Sequence, residues 1–218
     1  MKTIDKILTT IEEIPTLPTI YNTLSDLMVN PRATVEMAAN VIGADQAASF
    51  KILRVANSSL FGYHGSVDTI TQAILRLGYN EIRHIIFMLS VINFFSKTRK
   101  YISFRPSDLW AHSIGVGIAS RIIAKKIGAT NIENYFISGI LHDIGKILLF
   151  EVSAKDYIKC IRIAEERGIS IAETEKEQFG INHMEAGGLF ARKWNLPEQV
   201  VLAIKHHDTG IVDNFPDM

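Results

Sequence analysis

An all-α, two-lobed helical bundle is the fold class this sequence predicts, and three observations predict it. Apolar residues recur at helical spacing nearly everywhere, while strict apolar–polar alternation is scarce. Helix punctuation also repeats along the chain, with Pro or a short polar residue before an apolar stripe and Gly just past its end. Finally, 218 residues that are 47% hydrophobic and 21% charged can bury a sizeable core without covalent staples. The one cysteine, Cys160, leaves no internal disulfide and suits a reducing, cytoplasmic setting.

The elements follow in order. Leu17, Ile20, Tyr21, Leu24 and Leu27–Met28 make one amphipathic stripe after Pro18, a residue suited to a first helical turn. Asn30–Pro31 breaks it, and helices follow near 34–42 and 47–57. SSLFGYHGS, 58–66, reads as a loop, and a short helix over 70–77 ends at Gly78. The helix over 80–95 contains the most apolar window, IIFMLSVINFF. Its eleven residues fall short of the roughly 20 that span a bilayer, so it predicts a buried helix and no membrane role. SKTRKYISFRPS, 96–107, separates the lobes.

The second lobe opens with a helix from Asp108 to about Ile127, closed by Gly128. A helix over 133–150 follows, with Phe136/Ile137, Ile140/Leu141, Ile144 and Ile147/Leu148 on its inner face. Another over 154–167 ends at Gly168. Asn182 with Glu185 forms a capping-box-like pair, and Pro197 opens a helix reaching His206–His207.

Polar residues inside these helices carry the functional signal. GILHDIGKILLF, 139–150, sets His142 and Asp143 in an apolar run, where a charge is costly unless it is paired or holds a metal. Five of the seven histidines lie in the second lobe: His112, His142, His183, His206 and His207. His112 follows Asp108 by one turn. His183 opens its helix, and His207 continues the inward stripe of Val200, Ala203 and Ile204. Histidines and carboxylates projecting inward from facing helices are how bundle metal sites are built. Imidazole with carboxylate suits one or two divalent ions such as Fe, Mn, Zn or Ni. The alternative is a hydrogen-bonded polar pair in the core. His64 and His84 read as ordinary surface or satisfied residues, and Cys160 as a small buried hydrophobe.

Several function classes are excluded. Lys plus Arg (23) balances Asp plus Glu (23), which predicts no nucleic-acid partner. The segment MKTIDKILTTIEEI has acids among its apolar residues and no signal-peptide core. No GxSxG elbow, phosphate-binding glycine loop, dinucleotide fingerprint or CxxC is present.

His112, HDIGK (142–146), His183 and His206-His207 resemble the HD superfamily of metal-dependent phosphohydrolases, most closely the HD-GYP type. The N-terminal half is similar to the HDOD domain through IPTLP (14–18), VIGADQAASFKILRVANSSLFG (41–62) and ITQAILRLGYNEIRHIIF (70–87). FGINHMEAGGLFARKWNLPEQVVLAIKHHD (179–208) resembles the end of the same pattern. The likeness marks one domain over 14–208, divided into an N-terminal lobe (1–97) and an HD-like lobe (105–208), with 209–218 as a tail.

The resemblance implies a bacterial, intracellular signalling role, HDOD domains acting as regulatory or protein-interaction modules. It implies metal ligands at His112, His142, Asp143, His183, His206 and His207, with Asp108 in place of an acidic ligand. Lys146 would face a substrate phosphate, acting with Asp143 in any catalysis. Two features depart from the pattern. Gln46 stands where Pro is usual, and no GYP segment follows His207-Asp208, where Asp208, Asp213 and Asp217 are the remaining acids. Two functions are therefore expected: a signalling module with a protein partner, or a metal-dependent phosphohydrolase of a cyclic dinucleotide or nucleotide. The first is preferred.

Overall fold

The computed structural model describes residues 3–13, 19–58, 66–95 and 105–209. The IPTLP segment, His64, most of the 58–66 loop and the inter-lobe segment, and Asp213 and Asp217 lie outside the described residues. The chain is all-α, and it divides into two compact units, 17–94 and 1–16 with 95–218.

The first of these units contains α2 (Thr19–Val29), α3 (Val35–Gly43), α4 (Gln46–Ala56), α5 (Ile70–Leu77) and most of α6 (Tyr79–Phe95). Short polar side chains start three of them: Thr34, Asp45 and Thr69 each accept a hydrogen bond from a backbone N–H in the first turn. Gly78 closes α5 with φ of 86°, a conformation cheap only for glycine. The core is built from Leu24, Ile42, Ile52, Ile74, Ile82 and Phe87, with Tyr21 of α2 against Phe87 of α6 at 5.5 Å between ring centroids. The Asn57 side chain both donates to and accepts from the Val67 backbone. His84 is buried beside Glu81, as a satisfied residue should be. No described helix is long and apolar enough to cross a membrane.

The other unit contains α1 (Thr3–Glu13) and α7 (Pro106–Lys126) through α8 (Ile132–Leu141), α9 (Ile144–Val152), α10 (Ala154–Arg167), α11 (Ile171–Phe179), α12 (His183–Lys193) and α13 (Glu198–His206). The sequence division at 97 assigns α1 to the first lobe. In the structure its buried Ile7 and Ile11 pack instead on α9 and α12.

α7 and α8 pack closely. A Cβ on Gly139 would lie 2.7 Å from the Gly117 Cα, so two glycines let the backbones touch and bring His112 beside His142. A second glycine contact joins α9 to the start of α12. A Cβ on Gly145 would lie only 1.8 Å from the His183 carbonyl oxygen.

The continuous helix expected over 133–150 is in fact two. His142 and Asp143 form a turn between α8 and α9, with Asp143 at φ −99° and ψ 7°. The Lys146 N–H returns to the Asp143 carbonyl at 3.0 Å. The break re-aims both side chains, which continuous helical spacing would have set on neighbouring rows.

Candidate metal centre

Asp143 lies at the middle of the site. Its side chain is 4% exposed and its two oxygens face different histidine pairs. Oδ2 is 3.3 Å from His142 Nε2 and 4.0 Å from His112 Nε2. Oδ1 is 3.4 Å from His207 Nε2 and 3.7 Å from His183 Nε2. Within each pair the Nε2 atoms nearly touch, at 3.2 Å for His112 and His142 and 3.3 Å for His183 and His207. The donor atoms thus form two groups of three, both containing Asp143.

Tautomers show what this arrangement asks for. His142 Nδ1 is 2.8 Å from the Gly139 carbonyl, His207 Nδ1 is 2.8 Å from the Ile204 carbonyl, and His183 Nδ1 is 2.6 Å from Glu175 Oε2. An acceptor at Nδ1 places the proton there, so in the neutral ring Nε2 carries the lone pair. Two lone pairs facing each other repel unless a proton or cation lies between them. Metal–nitrogen distances of about 2.0–2.1 Å in tetrahedral geometry separate neighbouring ligand atoms by roughly 3.3 Å. The observed 3.3–3.7 Å separations among Asp143, His142, His183 and His207 match that figure. These residues therefore fit one or two divalent ions, with the Asp143 carboxylate shared between them.

Charge around the carboxylate is arranged to keep it ionised. Burial alone would raise the Asp143 pKa, but the adjoining His142 and His207 rings, with the Lys146 charge, hold it far below the usual carboxylate range. The Lys146 ammonium lies 2.8 Å from the carboxylate and donates to Oδ2. His207 is affected in the opposite sense. Burial would lower its pKa, and the neighbouring Asp143, the Ile204 carbonyl and Asp208 raise it above the ordinary imidazole value.

The structure brings His112, His142, Asp143, Lys146, His183 and His207 together and leaves out two other expected residues. Asp108 is exposed on the first turn of α7 with Ser107 as its described partner, and neither group of donors contains it. His206 also lies outside both groups. It ends α13 one position before His207, about 100° around the axis, so it points along another row. Its backbone carbonyl instead accepts from Thr209.

Two carboxylates that the sequence argument did not place belong here. Asp208 is 53% exposed, yet its oxygens lie 3.6 Å from His183 Nε2 and 3.7 Å from His207 Nε2. Glu175, on α11, is fully buried against His183. No helix was expected over 171–179. Its signal was present in Ser170 three residues before Glu173, with Ala172, Glu175 and Phe179 at helical spacing. His112 and Asp208, at 55% and 53% exposure, form the open side of the site.

Residues 14–209 match the HDOD domain family. Among solved structures, an HDOD domain protein of unknown function from Geobacter sulfurreducens superposes with a TM-score of 0.76 and 27% identity. That match covers 96% of this chain and 72% of the other. A Shewanella amazonensis SB2B protein, proposed to be a phosphohydrolase, matches with a TM-score of 0.72 and 28% identity, over 93% of this chain and 71% of its own. An uncharacterised Treponema pallidum (strain Nichols) protein is 25% identical over 198 residues, 90% of this chain. The chain spans 38% of that relative's length.

Proposed function

The chain belongs to the HDOD family, and on that premise we propose that it is a regulatory module of intracellular signal transduction whose HD-like half binds one or two divalent metal ions. The observation carrying the metal is the cluster of inward Nε2 atoms around a shared, buried Asp143. His112, His142 and Asp143 would hold one ion, and Asp143, His183 and His207 the other, with Asp208 at the solvent side. The donor chemistry suits Fe, Mn, Zn or Ni. A cytoplasmic signalling protein is the expected partner, with occupancy of the centre setting the state that the partner reads.

Lys146 favours a second reading, that of a metal-dependent phosphohydrolase. Its ammonium is held at the carboxylate and is 22% exposed, so it can reach a phosphate entering past His112. A bound ion would polarise a phosphoryl oxygen and lower the pKa of a water. Lys146 would then stabilise charge developing on the phosphate oxygens, and Asp143 would hold the site's geometry. The substrate class is a cyclic dinucleotide or another nucleotide.

Metal analysis of chain purified without chelators tests the common part. One to two ions per chain are expected, and His142→Ala should lose the ion of its group. Less than about 0.1 ion per chain would remove the enzyme, since an empty centre cannot activate water, and would leave the regulatory module without its metal. Binding with no turnover of cyclic dinucleotides or nucleotides leaves the regulatory module. Turnover abolished by His142→Ala establishes the enzyme.

A further inference from the structure

Glu175 is the acid that the proposed centre leaves unexplained. Both Glu175 and His183 are 0% exposed, and a dehydrated carboxylate is costly without a partner. His183 is its closest partner. Oε2 accepts from the His183 backbone N–H at 2.8 Å and from Nδ1 of the same ring at 2.6 Å. The other two tautomer-fixing bonds in the site are made to neutral backbone carbonyls, at Gly139 and Ile204.

We infer that Glu175 is a positioning residue for the metal centre: it locks His183 as the Nδ1–H tautomer and aims Nε2 at Asp143 and His207. This rests on the metal reading above. Outer carboxylates that accept from a ligand imidazole orient it and strengthen it as a donor. The surroundings of Glu175 hold it in place for that task. Thr174 beside it donates to the Cys160 carbonyl and accepts from the Cys160 thiol through its own carbonyl, tying α11 to α10. Lys176 pairs with Glu185, tying α11 to α12 near His183. Tyr157, from α10, is buried and interacts with the Glu175 carboxylate.

The test uses the full chain as wild type, Glu175→Gln and Glu175→Ala. Nitrogen-15 NMR of the metal-free protein reads the His183 tautomer at alkaline pH, where imidazoles are neutral, and calorimetric titration with Zn or Mn reads affinity. Wild type should show Nδ1–H. Glu175→Gln keeps an acceptor oxygen, so it should keep the tautomer while binding about tenfold more weakly, and Glu175→Ala should lose the tautomer preference and about a hundredfold in affinity. A wild-type Nε2–H ring overturns the inference, as does a folded Glu175→Ala that keeps the tautomer and an affinity within about threefold of wild type. A structural carboxylate alone would lower the melting temperature and leave the tautomer unchanged. If Glu175→Ala does not fold, unchanged affinity in Glu175→Gln also overturns it. A wild type that binds no metal sinks the metal reading instead, and the tautomer still decides the role of Glu175.

Discussion

Gly145→Ala sets two opposing effects against each other. Gly145 is the second residue of α9 and its φ is not positive, so Ala should fit the backbone and gain about 0.8–1.0 kcal/mol of helix propensity. Packing says otherwise. The new Cβ would lie 1.8 Å from the His183 carbonyl oxygen, 2.6 Å from its carbonyl carbon and 2.8 Å from its Cα. Ordinary contact begins at 3.4 Å, so the two backbones must part by about 1.6 Å (3.4 − 1.8). None of those atoms is a side-chain tip that can swing aside. Overpacking of this kind costs typically about 1–3 kcal/mol, and sometimes more, so it exceeds the propensity gain.

The same displacement would move His183 Nε2 from 3.7 Å to about 5 Å from Asp143 Oδ1, whereas two ligands at about 2.1 Å from one ion are never more than about 4.2 Å apart. Gly145→Ala should therefore melt lower by up to about 8 °C, a few degrees per kcal/mol for a chain this long, and should lose the ion of the His183–His207 group. Differential scanning calorimetry and metal analysis measure the two effects. A variant that melts as high as wild type with full metal content would refute the close-contact argument.

Other outcomes follow from the same structure. Asn182→Ala removes the side-chain half of the capping box on α12, the bond from the Glu185 N–H to Asn182 Oδ1, while the backbone N–H at 182 still donates to Glu185; it should cost about 0.5–2 kcal/mol in urea denaturation. Cys160 is buried, and burial with the nearby Glu175 charge pushes its thiol up to about 11. Its reaction with a disulfide reagent near neutral pH should therefore track unfolding. In the metal-free chain the raised His207 pKa contributes stability below the unfolded imidazole value, and that stability is lost as pH rises through the folded value. The lowered Asp143 pKa acts in the opposite sense, contributing above the unfolded carboxylate value and fading in acid. Asp143→Asn should consequently lower the His207 pKa, measured by NMR titration, because only the Ile204 carbonyl and Asp208 then oppose burial. With metal present, affinity should fall as pH drops through the His207 pKa, since proton and ion compete for Nε2.

Periodicity and punctuation determined most of the fold by themselves. Gly78, Gly168, the Asn182–Glu185 pair and the apolar stripes marked helices within a residue or two of where they form, because caps and amphipathic spacing are local physics. The residue types of the candidate site were legible as well, since ionisable residues in apolar runs need a reason to be there. What sequence spacing could not carry was direction in space. The His142–Asp143 turn interrupts an apolar run that a periodic pattern reads as continuous, and His206 and His207 differ only by the rotation between adjacent residues. Glu175 became meaningful only when α11 packed its carboxylate on His183, and α1 joined the HD-like half through contacts distant in sequence. Tertiary packing decided these points because a site of a few ångströms is set by backbone approach, such as Gly145 on His183, and not by the order of residues along the chain.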